Sequence, residues 1–393
     1  MNAAAMTGSL VLALRHLRHH RTRSLLIVAC VAAACAIPLL IRVLTADFQK
    51  ALITRARATP QLIGSKGNRF DLTMALLYFR QVELPTLSFA DFRQLATNGG
   101  GVFIPLNLRF TARHRALVAT TPDYFELRGL RPAAGTLPLL LGDAVLGARL
   151  ARQLKLGVGD SIFSDQRELF DISKPQSLKL HITGVLAPSG GPDDDAVFTD
   201  LKSAWILEGL CHAHTAANQV PERLVLNRAP GRLTLSEELI DYNEVTPANI
   251  SEYHLHTDEA HLPLTGLIFA PNSQKSGTLL RSRLNAGKLW QAVSPMEVVE
   301  DLLAYVFRLR SLFDAVSVVL GLLTAAMIGM ITALSIRVRS RELETLRRIG
   351  VDRLTIAALF SWEIAILIGL GAAAAGLAVG LISLGAPDLV KLL

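Results

Sequence analysis

The chain has 393 residues, of which 51% are hydrophobic and only 19% are Asp, Glu, Lys or Arg, with a formal net charge of +7. So apolar a balance excludes an ordinary soluble globular protein. A basic surplus suits nucleic acid or an anionic membrane surface. Here many of the arginines flank apolar stretches, which favours the membrane over a nucleic-acid partner. Cys30 and Cys35 lie inside the first apolar stretch and Cys211 lies outside it, so the outer part has no disulfide framework.

Residues 24–46, SLLIVACVAAACAIPLLIRVLTA, are long enough to cross a bilayer core of about 30 Å as a helix. Pro38 marks a kink, and Arg42 can snorkel to the far headgroups. A cleaved signal peptide is the alternative, but the run is long for one and no A-x-A-like site follows it. Residues 47–63 read as a helix running out of the membrane. Short β-like runs follow at 115–121, 143–147, 178–187 and 223–228, with a helix at 148–156 ended by Gly157.

The stretch 187–196, APSGGPDDDA, reads as a loop. Its Asp193, Asp194 and Asp195 read as a solvated acidic turn rather than a cation site. Residues 294–310 have helical apolar spacing, a capping-box pair in Ser294 and Glu297, and Pro295 at the first helical position. With 47–63 they would form a helical stalk for an α+β domain over 47–310.

Two further apolar runs, 311–336 and 354–385, follow, and 386–393 is a tail. The last run is long for one crossing and short for two. One tilted helix is the simpler reading, and a hairpin of short helices the other. The sequence thus describes an α-helical membrane protein with three transmembrane helices and a large α+β extracytoplasmic domain inserted between helices 1 and 2. Arg15, Arg18, Arg21 and Arg23 precede the first span, and Arg337, Arg339, Arg341, Arg347, Arg348 and Arg353 separate the second from the third. The positive-inside rule puts both flanks in the cytoplasm and the domain outside.

Small residues recur every fourth position at Gly321, Ala325 and Gly329, and at Ala372, Gly376 and Gly380. That spacing lets helix backbones approach and predicts a helix–helix interface, within or between chains. Glu363 and Asp314 lie near opposite ends of their spans, and both are read as structural, although an intramembrane carboxylate is a functional candidate by default.

Two histidine clusters stand in the outer domain: Cys211, His212 and His214, and His254, His256 and His261. In a strand, His254 and His256 would share a face, and imidazole with thiolate suits zinc or copper. The alternative is an exposed loop that happens to be rich in histidine. No G-x-x-x-x-G-K-[ST], H-E-x-x-H or G-x-S-x-G motif occurs, so the chain carries no phosphate-cradling loop of its own.

The charged block RSRELETLRRIGVDRLTIAALFSWE resembles the cytoplasmic loop of MacB/FtsX-type ABC transporter permeases. Arg339, Glu342, Leu343, Leu346, Arg347, Ile349 and Gly350 fall on the family pattern R-x-x-E-[IL]-x-x-L-R-x-[IL]-G, while Glu344 stands where glycine is frequent. Residues 13–33 resemble the family's amphipathic helix leading into the first span, and 118–138, 143–162 and 182–205 resemble its periplasmic domain. The stretch LIGSKGNRFDLTMALLYF, 62–79, is similar to a motif of one subgroup.

The resemblance implies a non-enzymatic permease subunit in the bacterial inner membrane. Residues 1–23 would be the amphipathic cytoplasmic helix and 337–353 the coupling helix. A separate ABC ATPase subunit would bind and hydrolyse ATP with magnesium, and a second permease copy would complete a homodimer. A periplasmic partner is compatible with such a machine. A docked coupling helix needs an apolar face and a charged rim. Leu343, Leu346, Ile349 and Gly350 would give the face; Glu342, Glu344, Arg347 and Arg348 the rim. A solvated topogenic loop is the plainer reading. One departure is that the family usually has a fourth span. A membrane-anchored sensor without ATPase, and a membrane enzyme with an outer metal site, are the other classes open to this sequence.

Overall fold

The computed structural model describes residues 3–97, 99–138, 140–165, 177–213, 225–229, 232–235, 242–255 and 257–385. It divides into two units, one formed by Met1–Ala51 with Leu302–Leu393 and the other by Leu52–Asp301.

The first unit is helical. Helices Ala3–His19, Arg21–Arg57, Pro295–Val338, Ser340–Arg348 and Arg353–Gly385 contribute to it. Three of them are long and apolar enough to cross a membrane. Ile27, Val31, Ile328 and Leu367 form a small buried cluster between them, while Leu322, Met330, Leu377 and Leu381 are exposed. Exposed leucines in such number are costly in water and suit hydrocarbon. Pro38 is carried inside a continuous helix, as neighbouring groups in a membrane permit. The last apolar run is one unbroken helix, Arg353–Gly385, and not a hairpin of short helices.

Two arginines of this unit are paired. Arg42 Nη2 meets Asp314 Oδ1 at 2.9 Å, so the Arg42 that reads as snorkelling to lipid headgroups has a protein partner. Arg23 donates to Ser335 Oγ at 3.0 Å and to the Ile331 carbonyl at 3.2 Å.

The second unit is built on an eleven-stranded mixed sheet. Its main path runs Tyr242–Glu244, Ser177–Leu186, Asp143–Leu146, Val197–Asp200, Arg115–Thr120, Gly101–Ala112, Gly266–Pro271, Gln61–Ser65 and Trp290–Val293. Strand Ser177–Leu186 alternates without a break between buried and half-buried positions, the period of a strand with one face on a core. Leu178, Leu180, Ile182 and Leu186 are its buried apolar side chains, with Gly184 the fifth buried position. Tyr124, Phe198 and Phe269 are among the largest side chains fully buried in the unit. Strands Gln61–Ser65 and Trp290–Val293 pair antiparallel, Leu62 opposite Val293 and Ser65 opposite Trp290.

Three local readings are corrected. Residues 47–63 are not one helix: the helix ends at Arg57, and a strand begins at Gln61. Pro60, with no N–H to give, lies between them. The helix Ala148–Leu154 is ended by Lys155 at φ 55°, two residues before Gly157. Glu297 does not close a capping box with Ser294, because its carboxylate is held by both terminal nitrogens of Arg281.

Candidate functional site

The charged block between the second and third apolar helices folds as a helix of its own, Ser340–Arg348. Arg339, at φ −94° and ψ 12°, separates it from the long helix before it. The Arg339 guanidinium meets Glu342 Oε2 at 3.1 Å and Glu363 Oε1 at 3.4 Å, and lies 5.8 Å from the centre of the Phe360 ring. Arg339 is therefore drawn inward and fixes the start of the loop helix to the helix that follows. Glu363 is nearly buried and takes a structural role in this pairing. His16 lines the same small cavity of about 20 Å³ as Glu363 and Arg23. Burial and the nearby Arg339 pull its imidazole down to about 4, so it adds no charge here at neutral pH.

On the loop helix, Leu343 and Leu346 are half-buried and Ile349 is exposed. Glu344 pairs with Arg348 at 2.6 Å across one turn, while Arg341 and Arg347 are exposed. The helix is closed by Gly350 at φ 93°. Gly350 N–H donates to the Arg347 carbonyl and Val351 N–H to the Leu346 carbonyl, both at 3.0 Å. This is a Schellman closure, whose left-handed residue is usually glycine because a Cβ costs about 1–2 kcal/mol there. The glycine in the sequence pattern thus has a backbone reason.

The acidic turn of the second unit is the opposite of a solvated one. Asp193 and Asp194 are buried, in a short 3₁₀ turn over Pro192–Asp195. Asp193 Oδ2 meets Arg55 Nη1 at 2.5 Å, and its Oδ1 accepts from Tyr124 Oη at 2.7 Å. Arg55 also donates to Tyr124 Oη at 3.0 Å and to the Leu77 carbonyl. Asp194 accepts from Ser189 N, Ser189 Oγ and Gly190 N at 2.7–2.9 Å. Asp195 pairs with Arg149 at 2.6 Å. A Cβ on Gly147 would strike the Asp193 carbonyl, so the turn packs against a position only glycine can hold. Burial pushes the Asp193 carboxyl up, but the charge and hydrogen bonds of Arg55, with the Tyr124 hydroxyl, outweigh it and hold the group below its ordinary value. These carboxylates are occupied by protein donors and form a structural lock.

The histidine clusters are partly brought together. Strands Cys211–Ala213 and Tyr253–Leu255 pair antiparallel, with His212 opposite His254 and Cys211 opposite Leu255. Cys211 is buried in the core, and burial pushes its thiol up, so it is no partner for an exposed ion. His261 sits on a separate 3₁₀ turn, Glu259–His261. His214 and His256 lie outside the described residues. Among the described residues no three His, Cys, Asp or Glu side chains gather as a metal cluster.

Of the small-residue positions, Gly321, Gly329, Gly376 and Gly380 have open space where a Cβ would stand. Gly371, which the spacing had not singled out, is the tight one: a Cβ there would lie 2.6 Å from Val31. Among the described glycines of the long apolar helices, the close approach is therefore at Gly371.

Known proteins give the following comparisons. A family profile described as the MacB-like periplasmic core domain matches residues 24–225. The periplasmic region of MacB from Actinobacillus actinomycetemcomitans is similar at 11% identity and a TM-score of 0.35, over 64% of this chain and 97% of that one. The extracellular domain of the noncanonic ABC-type transporter YknZ from Gram-positive bacteria is similar at 9% identity and a TM-score of 0.32, over 59% of this chain and 98% of that one. No curated protein matches this chain.

Proposed function

This chain belongs to the family of the MacB-like periplasmic core domain, as a permease of the MacB/FtsX type, and from that premise we propose that it is a non-enzymatic mechanotransmitter. The match over residues 24–225 carries this reading, because it takes in the first apolar helix and most of the outer unit. In the proposed cycle a separate ATPase subunit docks on the loop helix Ser340–Arg348 and binds and hydrolyses ATP. The resulting motion passes through the spans of the bacterial inner membrane and works on a substrate outside. Half-buried Leu343 and Leu346, exposed Ile349 and the pinned Arg339 support a docking helix with a fixed base.

Purification of the full chain from its native membrane in mild detergent, with mass spectrometry of what accompanies it, tests the reading. A near-stoichiometric protein with a P-loop is expected. A clean chain, under conditions that keep other membrane complexes whole, would replace it with the membrane-anchored sensor.

The orientation is checked separately. Leu289 is 76% exposed in the outer unit. A Leu289→Cys chain, with Cys30, Cys35 and Cys211 changed to Ala, should react with an impermeant maleimide in intact spheroplasts. Reaction only after lysis would invert the orientation.

The proposed functional form is a homodimer. An apolar groove of about 630 Å³ lined by Gly321, Ala325 and Gly329 supports a second copy packing where these glycines have open space. Gly329→Leu should weaken self-association in detergent by about tenfold, roughly 1.4 kcal/mol. An unchanged monomer–dimer equilibrium in analytical ultracentrifugation would move the interface elsewhere.

A further inference from the structure

We propose that the helix Ala3–His19 carries a docking surface for the headgroups of anionic lipids, with Arg15, Arg18 and Arg21 as the phosphate-binding groups. The helix has two faces. Ser9 and Ala13 are buried, and His16 and Leu17 are half-buried. Their spacing puts all four on one side of a helix. The helix packs along Arg353–Gly385, and Leu17 joins the cluster of Ile27, Val31, Ile328 and Leu367. Val11, Arg15 and Arg18 follow one another at the same helical spacing on the opposite side, and all three are exposed.

Three observations point to the occupant. First, Val11, Leu12 and Leu14 are 49–55% exposed beside the arginines. Apolar side chains next to guanidiniums fit the boundary between acyl chains and headgroups better than bulk water. Second, the positive charge is uncompensated. No Asp or Glu precedes Asp47 in the sequence, and among the described residues no carboxylate pairs with Arg15, Arg18 or Arg21. Glu342 and Glu363 are taken by Arg339. Arg23 is no part of the surface, since Ser335 and the Ile331 carbonyl hold it. Third, the surface runs directly into the first long apolar helix. The short helix ends at His19 and the long one begins at Arg21, whose Nε donates to the Arg18 carbonyl at 3.1 Å. That bond leaves the two terminal nitrogens of Arg21 for a ligand.

A guanidinium presents a planar fork that meets two oxygens of a phosphate at once. Every phospholipid has a phosphate, but in a zwitterionic headgroup an amine cancels its charge. Arginines with no carboxylate of their own therefore favour a headgroup of the phosphatidylglycerol class over phosphatidylcholine, and the preference fades as salt screens it. The inference rests on reading the long apolar helices as spans, and it is independent of any ATPase docking.

The experiment reconstitutes the full chain in phosphatidylcholine vesicles with and without phosphatidylglycerol. Traces of spin-labelled phosphatidylglycerol or phosphatidylcholine are added, and electron paramagnetic resonance reads the fraction of each held against the protein. At low salt the anionic label should be held at least about threefold more strongly, falling toward parity at about 1 M salt. Changing Arg15, Arg18 and Arg21 together to Gln should remove most of this preference, while changing the same three to Lys should keep most of it. Equal retention of both labels by the unaltered chain, or an undiminished preference in the Gln variant, overturns the proposal and leaves the arginines to an acidic protein partner. If the triple Gln variant fails to insert, Arg15→Gln with Arg18→Gln replaces it, with Arg21 and Arg23 kept as topogenic charges, and the preference must fall by at least about half. Insertion with equal retention overturns this surface alone, whereas an unaltered chain that inserts in neither kind of vesicle overturns the span reading and this surface with it.

Discussion

Asp193→Asn should lower the stability of the second unit by about 3–5 kcal/mol, the usual cost of breaking a buried ion pair and leaving the other charge stranded. The Arg55 and Asp193 side chains are 10% and 3% exposed. Burial this deep keeps bulk water from replacing the lost carboxylate charge. Tyr124 and the Leu77 carbonyl hold the guanidinium in place, so it cannot swing out to solvent. Urea unfolding of the full chain, followed through Trp205 and Trp290 with Trp362 changed to Phe, checks this. A loss below about 1 kcal/mol would make the pair no stronger than a surface contact.

The same pair predicts acid behaviour. Its carboxyl is held below the ordinary value in the folded chain. Its contribution is then complete above the unfolded value of about 3.9 and fades as pH falls through the folded one. Arg55→Met with Asp193→Leu should restore part of the lost stability, since well-packed apolar replacements of a buried pair are often neutral.

The second large effect is at the loop helix. Leu346→Asp should weaken association with the proposed ATPase subunit at least a hundredfold, about 2.8 kcal/mol. A charge on the apolar face must be desolvated at docking with nothing to pair it. Arg348→Ala removes only an exposed pair with Glu344 and should cost well under 1 kcal/mol. Co-purification yield and a binding titration distinguish the two. Wild-type yield from Leu346→Asp would leave the helix as a solvated topogenic loop.

The long apolar helices were legible because an unbroken apolar run of span length has few other meanings. Strand Ser177–Leu186 was legible through its period of two. What failed to show depends on partners far along the chain. The three aspartates look like a wet loop because Arg55 stands 138 residues away. Lys155 ends its helix in a conformation that a β-carbon disfavours, and nothing local predicts it. Gly371 and Gly376 are alike in sequence, and only packing distinguishes which one meets Val31. For the histidines, the cross-strand register of His212 and His254 had no local signal, and His256 lies outside the described residues.

The strands through which the chain enters and leaves the outer unit, Gln61–Ser65 and Trp290–Val293, are hydrogen-bonded neighbours. Their outer ends, Leu62 and Val293, are opposite one another. Load on both ends in the same direction carries the strands together and leaves their bonds intact. Load that separates the ends peels the pair open one bond at a time, the weakest way to pull antiparallel strands. The second unit would thus hold together when both of its connections are pulled alike, and yield first at this seam when they are pulled apart.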